Sequence, residues 1–226
     1  MTDIKLSLSK LISPDIVQNM TYLEPSRHVV DSVSSFTRYT NVMDKCDENI
    51  FRAHGMRHEV LVLHPSSSKS RISRTNGIYL PLKDAKYPYT QVFQVIEGES
   101  IFLLQTQPYQ AEIDCKFISA DPGDIVYIPP GYGYTIFNRG DKDLVISSLV
   151  KNEVYYDVRT MQSMDGPVYE FSREESKLTF RVNDSYANST VTTEYDIRDL
   201  DVPDTFITGS IYEGFINYPE TFNFLK

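Results

Sequence analysis

From residue 57 to about residue 182, apolar side chains recur at every second position in short runs that glycine, proline and serine turns keep interrupting. That period belongs to half-buried strands and rules out an amphipathic helix over the same stretch. The runs fall at residues 58–64, 71–75, 89–97, 100–106, 112–119, 124–128, 134–138 and 144–150, with further candidates at 153–158, 168–171 and 178–182. Pro65 and the serines after it end the first run, and Glu97-Gly98-Glu99 reads as a tight hairpin between the third and fourth. Pro122-Gly123 and Arg139-Gly140-Asp141 supply later turns. A series of short strands at this spacing points to a β-sandwich or barrel.

The flanks read differently. Residues 1–56 form an N-terminal helical or irregular segment, expected to pack on the outside of the barrel. Ser13-Pro14-Asp15 is a helix start, with a cap, a proline at the first position and an early acid. Val29, Val30, Val33, Phe36 and Tyr39 recur at steps of three and four, which suits a second helix. Residues 57–182 make the barrel. Residues 183–226 make a C-terminal extension that begins as a polar linker or exposed loop and ends in an apolar, aromatic stretch, residues 206–216. Those rings should be docked on the barrel or a second subunit.

Composition excludes several partners. The net charge of −9, from 22 basic and 31 acidic side chains, argues against nucleic acid, whose binding needs clustered Lys and Arg. Cys46 and Cys115 are the two cysteines and have no paired spacing, so neither a disulfide framework nor a zinc ribbon is expected. No apolar run is long enough to span a bilayer, and the N-terminus lacks the apolar core of a signal peptide, so the expectation is a cytoplasmic protein with no membrane partner. Nucleotide loops and the Gly-x-Ser-x-Gly nucleophile motif are missing.

The barrel segment carries quotable motifs. Val62-Leu63-His64-Pro65 is followed by Thr75-Asn76-Gly77-Ile78-Tyr79-Leu80 and then Thr90-Gln91-Val92-Phe93. After these come Leu103-Leu104-Gln105-Thr106 and Pro122-Gly123-Asp124-Ile125-Val126-Tyr127-Ile128-Pro129-Pro130-Gly131-Tyr132-Gly133-Tyr134. In order and turn chemistry, residues 59–157 resemble the cupin-type glucose-6-phosphate isomerases, a family best represented in archaea. The resemblance implies an all-β fold, a cupin double-stranded β-helix barrel with N-terminal helical decoration and a C-terminal extension. It also implies a homodimer.

Family members hold a metal with three histidines and a glutamate. Here those positions are Ile78, Leu80, Tyr134 and Gln91, and all four histidines of the chain (His28, His54, His58 and His64) precede the motif. Ile and Leu offer no lone pair and Gln is a weak neutral ligand, so no metal and no other cofactor is expected. Gln91 also cannot accept the proton that the family glutamate moves between C1 and C2. It and Tyr134 remain the candidate catalytic positions, in degenerate form. Thr75 and Gly77 stand where the family grips the sugar's phosphate, and Arg71 and Ser73 share a face with Thr75. Against this stands the plain reading of a glycine turn beside a surface arginine.

Ile78, Leu80, Phe93 and Tyr132 are expected to line the interior, as a collapsed core or as a reshaped pocket. Tyr79, Tyr87, Tyr89, Tyr155 and Tyr156 are candidates for its mouth. His58 and His64 alternate with Leu61 and should point out of the barrel.

Three functions stay open at this point. The first is a metal-free member that binds a sugar phosphate or related small molecule with weak or no turnover. The second is an active isomerase of glucose 6-phosphate and fructose 6-phosphate, a step of glycolysis and gluconeogenesis, that uses a non-standard base. The third is a non-catalytic assembly scaffold.

Overall fold

The structure is a computed structural model that describes residues 2–23, 25–83, 86–175, 177–195 and 209–225. Two six-stranded sheets face each other. In the first, the order is Ile125–Ile128, Gln91–Glu97, Leu144–Lys151, Met56–Leu63, Ser35–Thr40 and Ser26–Val29, antiparallel throughout. In the second, Thr190–Glu194, Glu112–Ala120, Ser100–Gln105, Gly133–Asn138 and Ser73–Arg74 follow in order, and Ile78–Tyr79 also pairs with Gly133–Asn138. From Gln91 onward the chain passes repeatedly from one sheet to the other, and the fold is an all-β cupin double-stranded β-helix.

The link at Gly98 shows that alternation. Gln91–Glu97 pairs only within the first sheet and Ser100–Gln105 only within the second. Residues 97–99 are therefore a corner between sheets and not the expected hairpin. Gly98 has φ +89°, and a Cβ there would lie 3.0 Å from the Asp143 carbonyl oxygen, so glycine is required on both counts.

Because strands alternate sides, each sheet builds two apolar layers. The inner layer joins the sheets and holds Leu61, Leu63, Phe93, Phe102, Tyr134 and Ile146, among others. A second layer lies outside the first sheet, where the helices Thr2–Leu8, Pro14–Asn19, Glu48–His54 and Ile211–Asn217 cover Val60, Val92 and Leu149. A third lies outside the second sheet under the hairpin Tyr169–Glu174 and Lys177–Val182.

Four expectations are corrected. Val29 to Tyr39 form no helix: Ser26–Val29 and Ser35–Thr40 are strands that extend the barrel's own sheet, so the segment before residue 57 is not simply helical decoration. Steps of three and four fitted by coincidence. The two strands are joined by a turn in which Val33 N–H donates to the Asp31 carboxylate at 2.9 Å and Val30 N–H to the Ser34 carbonyl at 3.0 Å. Residues 153–158 are not a strand either. They contribute one bridge, Asp157 to Tyr79, before the short helix Arg159–Gln162. The polar stretch after residue 183 is no free linker, because Tyr186 is buried and Thr190–Glu194 adds to the second sheet. The fourth is the Gly98 corner itself.

The apolar tail docks as its rings required, although residues 206–208 lie outside the described residues. Gln94 ties it down from the sheet, donating to the Gly209 carbonyl at 2.9 Å and accepting from Ile211 N–H at 2.9 Å. His58 does point out of the barrel, but it is buried under this tail, with its ring 5.0 Å from the Tyr212 ring. Its Nδ1 lies 2.6 Å from the Val42 carbonyl, which only accepts, so Nδ1 carries the proton and Nε2 accepts from Ser147 Oγ at 2.6 Å. Burial pushes the His58 pKa down to about 4.

A depressed histidine pKa means the unfolded chain binds the extra proton first. Its contribution is intact above the unfolded value near 6.5 and is lost as pH falls from there toward about 4. The expected loss is about 3 kcal/mol across that window. Urea denaturation at stepped pH should show the slope, and His58→Gln should flatten it.

Candidate functional site

Three strands bring the expected interior residues together. Ile78 and Tyr134 are direct partners across the Ile78–Tyr79 and Gly133–Asn138 pairing. Gln91 opens its strand opposite Ile128, with Phe93 two residues on. Ile78, Leu80, Gln91, Phe93 and Tyr134 are all buried, and Phe93 meets the rings of Tyr134 at 5.2 Å and Phe102 at 5.4 Å. Ile78, Gln91, Phe93 and Tyr134 are each only 1–3% exposed. Ile78, Leu80, Phe93 and Tyr134 belong to one buried apolar cluster, which favours a packed core.

The polar atoms of that core form a chain. Tyr134 OH donates to Gln91 Oε1 at 2.9 Å. Gln91 Nε2 donates to Ser148 Oγ at 3.2 Å and to Tyr156 OH at 3.1 Å, which engages both ends of its amide. Tyr156 OH donates to Glu59 Oε2 at 2.7 Å. Glu59 Oε1 accepts from Arg57 Nε at 2.6 Å, and Arg38 Nε stands 3.7 Å from Oε2 with its guanidinium 4.2 Å from the centre of the Tyr156 ring. Arg57 is further held by the Lys151 and Asn152 carbonyls at 2.9 and 2.8 Å.

Burial raises the phenol pKa values of Tyr134 and Tyr156, so both stay protonated and act as donors. A phenol that is donating to an amide oxygen is not available to take a proton.

The residues at these four positions do not fit the transition metal that the resemblance implies. Ile78 and Leu80 carry no donor atoms, Gln91 is fully hydrogen-bonded, and Tyr134 is held neutral. Among the described residues, no group of three His, Cys, Asp or Glu side chains is placed to hold a metal.

The remaining candidates spread out. Gly77 is packed by Met161, whose Sδ would lie 2.0 Å from a Cβ at that position. In this conformation a sulfur occupies the space through which an anion would approach the backbone. Thr75 Oγ1 accepts from Ile136 N–H at 3.1 Å and so braces the strand pairing. Ser73 is buried on the short strand just before it, and Arg71 is exposed and pairs with Asp31 at 3.1 Å. The Tyr132 ring packs on the inner cluster while its hydroxyl donates to Asp114. Cys115 offers no nucleophile, since burial pushes its thiol up to about 12.

Glu59, Arg57, Arg38 and Ser148 are the residues that sequence reasoning did not single out, and Tyr156, expected at the mouth, joins them in the core network. One signal was legible: Arg57 and Glu59 share the strand face of Leu61 and Leu63, placing two charges on the inward face of an otherwise apolar strand.

Comparison with known proteins finds relatives at low identity over part of the chain. Glucose-6-phosphate isomerase of Thermococcus litoralis is 30% identical over 100 residues, covering 44% of this chain and 48% of that protein. That of Pyrococcus furiosus is 24% identical over 132 residues, covering 54% and 66%. The chain thus spans about half to two thirds of the length of these relatives. Among solved structures, a 7S globulin from Momordica charantia is 14% identical, with 59% of this chain and 35% of that one covered at a TM-score of 0.41. Oxalate decarboxylase from Bacillus subtilis gives the same identity and score over 64% and 32%. At that score neither bears on the argument. The family model described as glucose-6-phosphate isomerase (GPI) matches residues 20–188, well over half of the chain, and the chain belongs to that family.

Proposed function

We propose that the protein is a metal-free member of the glucose-6-phosphate isomerase family that binds a sugar phosphate or related small molecule with weak or no turnover. The observation that carries this reading is the closed chain from Tyr134 through Gln91 and Tyr156 to Glu59, which fills the place of a metal and a base with hydrogen-bonded core. Losing a positioned base alone costs a factor of about 10²–10⁴ in rate. The ligand class, the homodimer and the cytoplasmic setting come with the family and are part of the same proposal.

An active enzyme with a different base is the second reading, and one observation favours it. Glu59 is a buried carboxylate one tyrosine removed from Gln91. Its pairing argues the other way, because both carboxylate oxygens are already engaged by Arg57, Arg38 and Tyr156 and neither is turned to a substrate.

A coupled assay of glucose 6-phosphate to fructose 6-phosphate decides between them. The expected result is no turnover above background, with Glu59→Gln and Tyr134→Phe indistinguishable from the parent. Robust turnover that Glu59→Gln abolishes would replace the first reading with the second.

A further inference from the structure

Outside the barrel, one small cavity combines an apolar floor with a basic rim. It measures about 160 Å³ and sits between the Ser73–Arg74 strand and the Tyr169–Glu174 and Lys177–Val182 hairpin. Ile72, Phe137 and Phe171 form the floor; Arg71, Arg74 and Arg181 reach it, with Glu170 and Ser172 beside them. Three arginines at one cavity are notable in a chain of net charge −9.

Two of these arginines are matched. Arg71 Nη2 pairs with Asp31 at 3.1 Å and Arg181 Nη2 with Glu170 at 2.5 Å. Arg74 is different. Among the described residues no carboxylate lies within 4.0 Å of its guanidinium, and its hydrogen bond from Nη1 goes to the Thr75 carbonyl at 3.2 Å. The group is half-buried, and burial holds its pKa below the usual arginine range. Asp31 and Glu170 attract it only from beyond ion-pair distance and are already paired with Arg71 and Arg181, so three guanidinium groups share two carboxylates and an arriving anion would balance the third. Its fork of N–H donors matches a planar or tetrahedral oxyanion in two-point contact. The apolar floor lowers the local dielectric and strengthens the attraction.

We propose that this cavity binds a phosphate-type oxyanion centred on Arg74, as inorganic phosphate or as the phosphate of a small phosphomonoester. Arg71 and Ile72 also border a larger basin of about 610 Å³, lined by Ser68, Ser70, Lys69, Asn138 and Arg173. An organic group carried by the phosphate therefore has a polar, hydroxyl-rich surface to lie against. The site stands apart from the barrel interior and does not depend on whether that interior turns over any substrate.

Calorimetric titration of the full chain with inorganic phosphate, and separately with glucose 6-phosphate, tests the proposal at constant ionic strength set with chloride. The expected result is saturable binding with an apparent Kd of about 1 mM or tighter for at least one of them. Arg71→Ala and Arg181→Ala alter exposed side chains that the fold does not need, and each is expected to weaken binding by about tenfold. Arg74→Gln is expected to abolish it, while Lys10→Ala, remote from the cavity, changes nothing. Tighter binding of the sugar phosphate identifies a phosphomonoester site, and equal affinity identifies inorganic phosphate. No heat and no melting shift up to about 10 mM of either ligand overturns the proposal. Binding that survives both Arg71→Ala and Arg181→Ala unchanged also overturns it.

Discussion

Glu59→Ala is expected to destabilise the protein by about 3–5 kcal/mol, the cost of breaking a buried ion pair by removing one partner. The carboxylate is 3% exposed and takes hydrogen bonds from Arg57 and Tyr156 at 2.6 and 2.7 Å. Its removal leaves the Arg57 charge and the Tyr156 hydroxyl without their acceptor inside the barrel, and releases Gln91 and Tyr134 behind them. For a chain of this length the melting temperature should fall on the order of 10 °C. Glu59→Gln keeps an acceptor for Tyr156 and should cost less. Pairing Glu59→Leu with Arg57→Met should recover much of the loss, since replacing both members of a buried pair by apolar groups is often neutral. Urea denaturation of the four proteins measures each step. A loss below about 1 kcal/mol for Glu59→Ala would show that this network does not organise the core.

Phe215→Ala is expected to cost a further 3–5 kcal/mol, roughly the range for removing a buried phenyl ring. Phe215 is fully buried and packs its ring 4.8 Å from Phe51 and 5.5 Å from Phe222. It therefore joins the C-terminal helix to the Glu48–His54 helix and to the closing Pro219–Leu225 turn. The loss should be felt locally first, with early cleavage near residue 209 in limited proteolysis, and then in the global urea midpoint. A cleavage pattern unchanged from the parent would mean that the tail is held by Gln94 and Tyr212 alone.

The barrel was legible because its strands satisfy a strict period of two and its turns carry Pro-Gly and Gly-Asp pairs. The Ser26–Val29 and Ser35–Thr40 hairpin was not, because its valines and Phe36 also satisfy a helical spacing, and only sheet pairing with Met56–Leu63 decides between the two. Position explains the site in a similar way. Ile78, Gln91 and Tyr134 could be placed together from motif order alone. Their links to Tyr156 and Glu59 could not, since each crosses more than sixty residues or joins separate strands. Gly77 shows the limit from the other side: a missing side chain reads as room for a ligand, but the room belongs to Met161, more than eighty residues away.

The strand Thr190–Glu194 has a consequence for how the chain behaves among copies of itself. It lies parallel to Glu112–Ala120, the longest strand of the second sheet, and pairs with its residues from Glu112 to Lys116. Without it that strand would be an edge, with Ile113, Cys115 and Phe117 along one face and its backbone donors and acceptors open to any passing strand. The strand that takes the position is short, rich in threonine and ends on an acid, a poor template for further growth. A segment that reads as polar linker thus covers an otherwise open sheet edge, and shortening the chain ahead of it is expected to leave that edge free to aggregate.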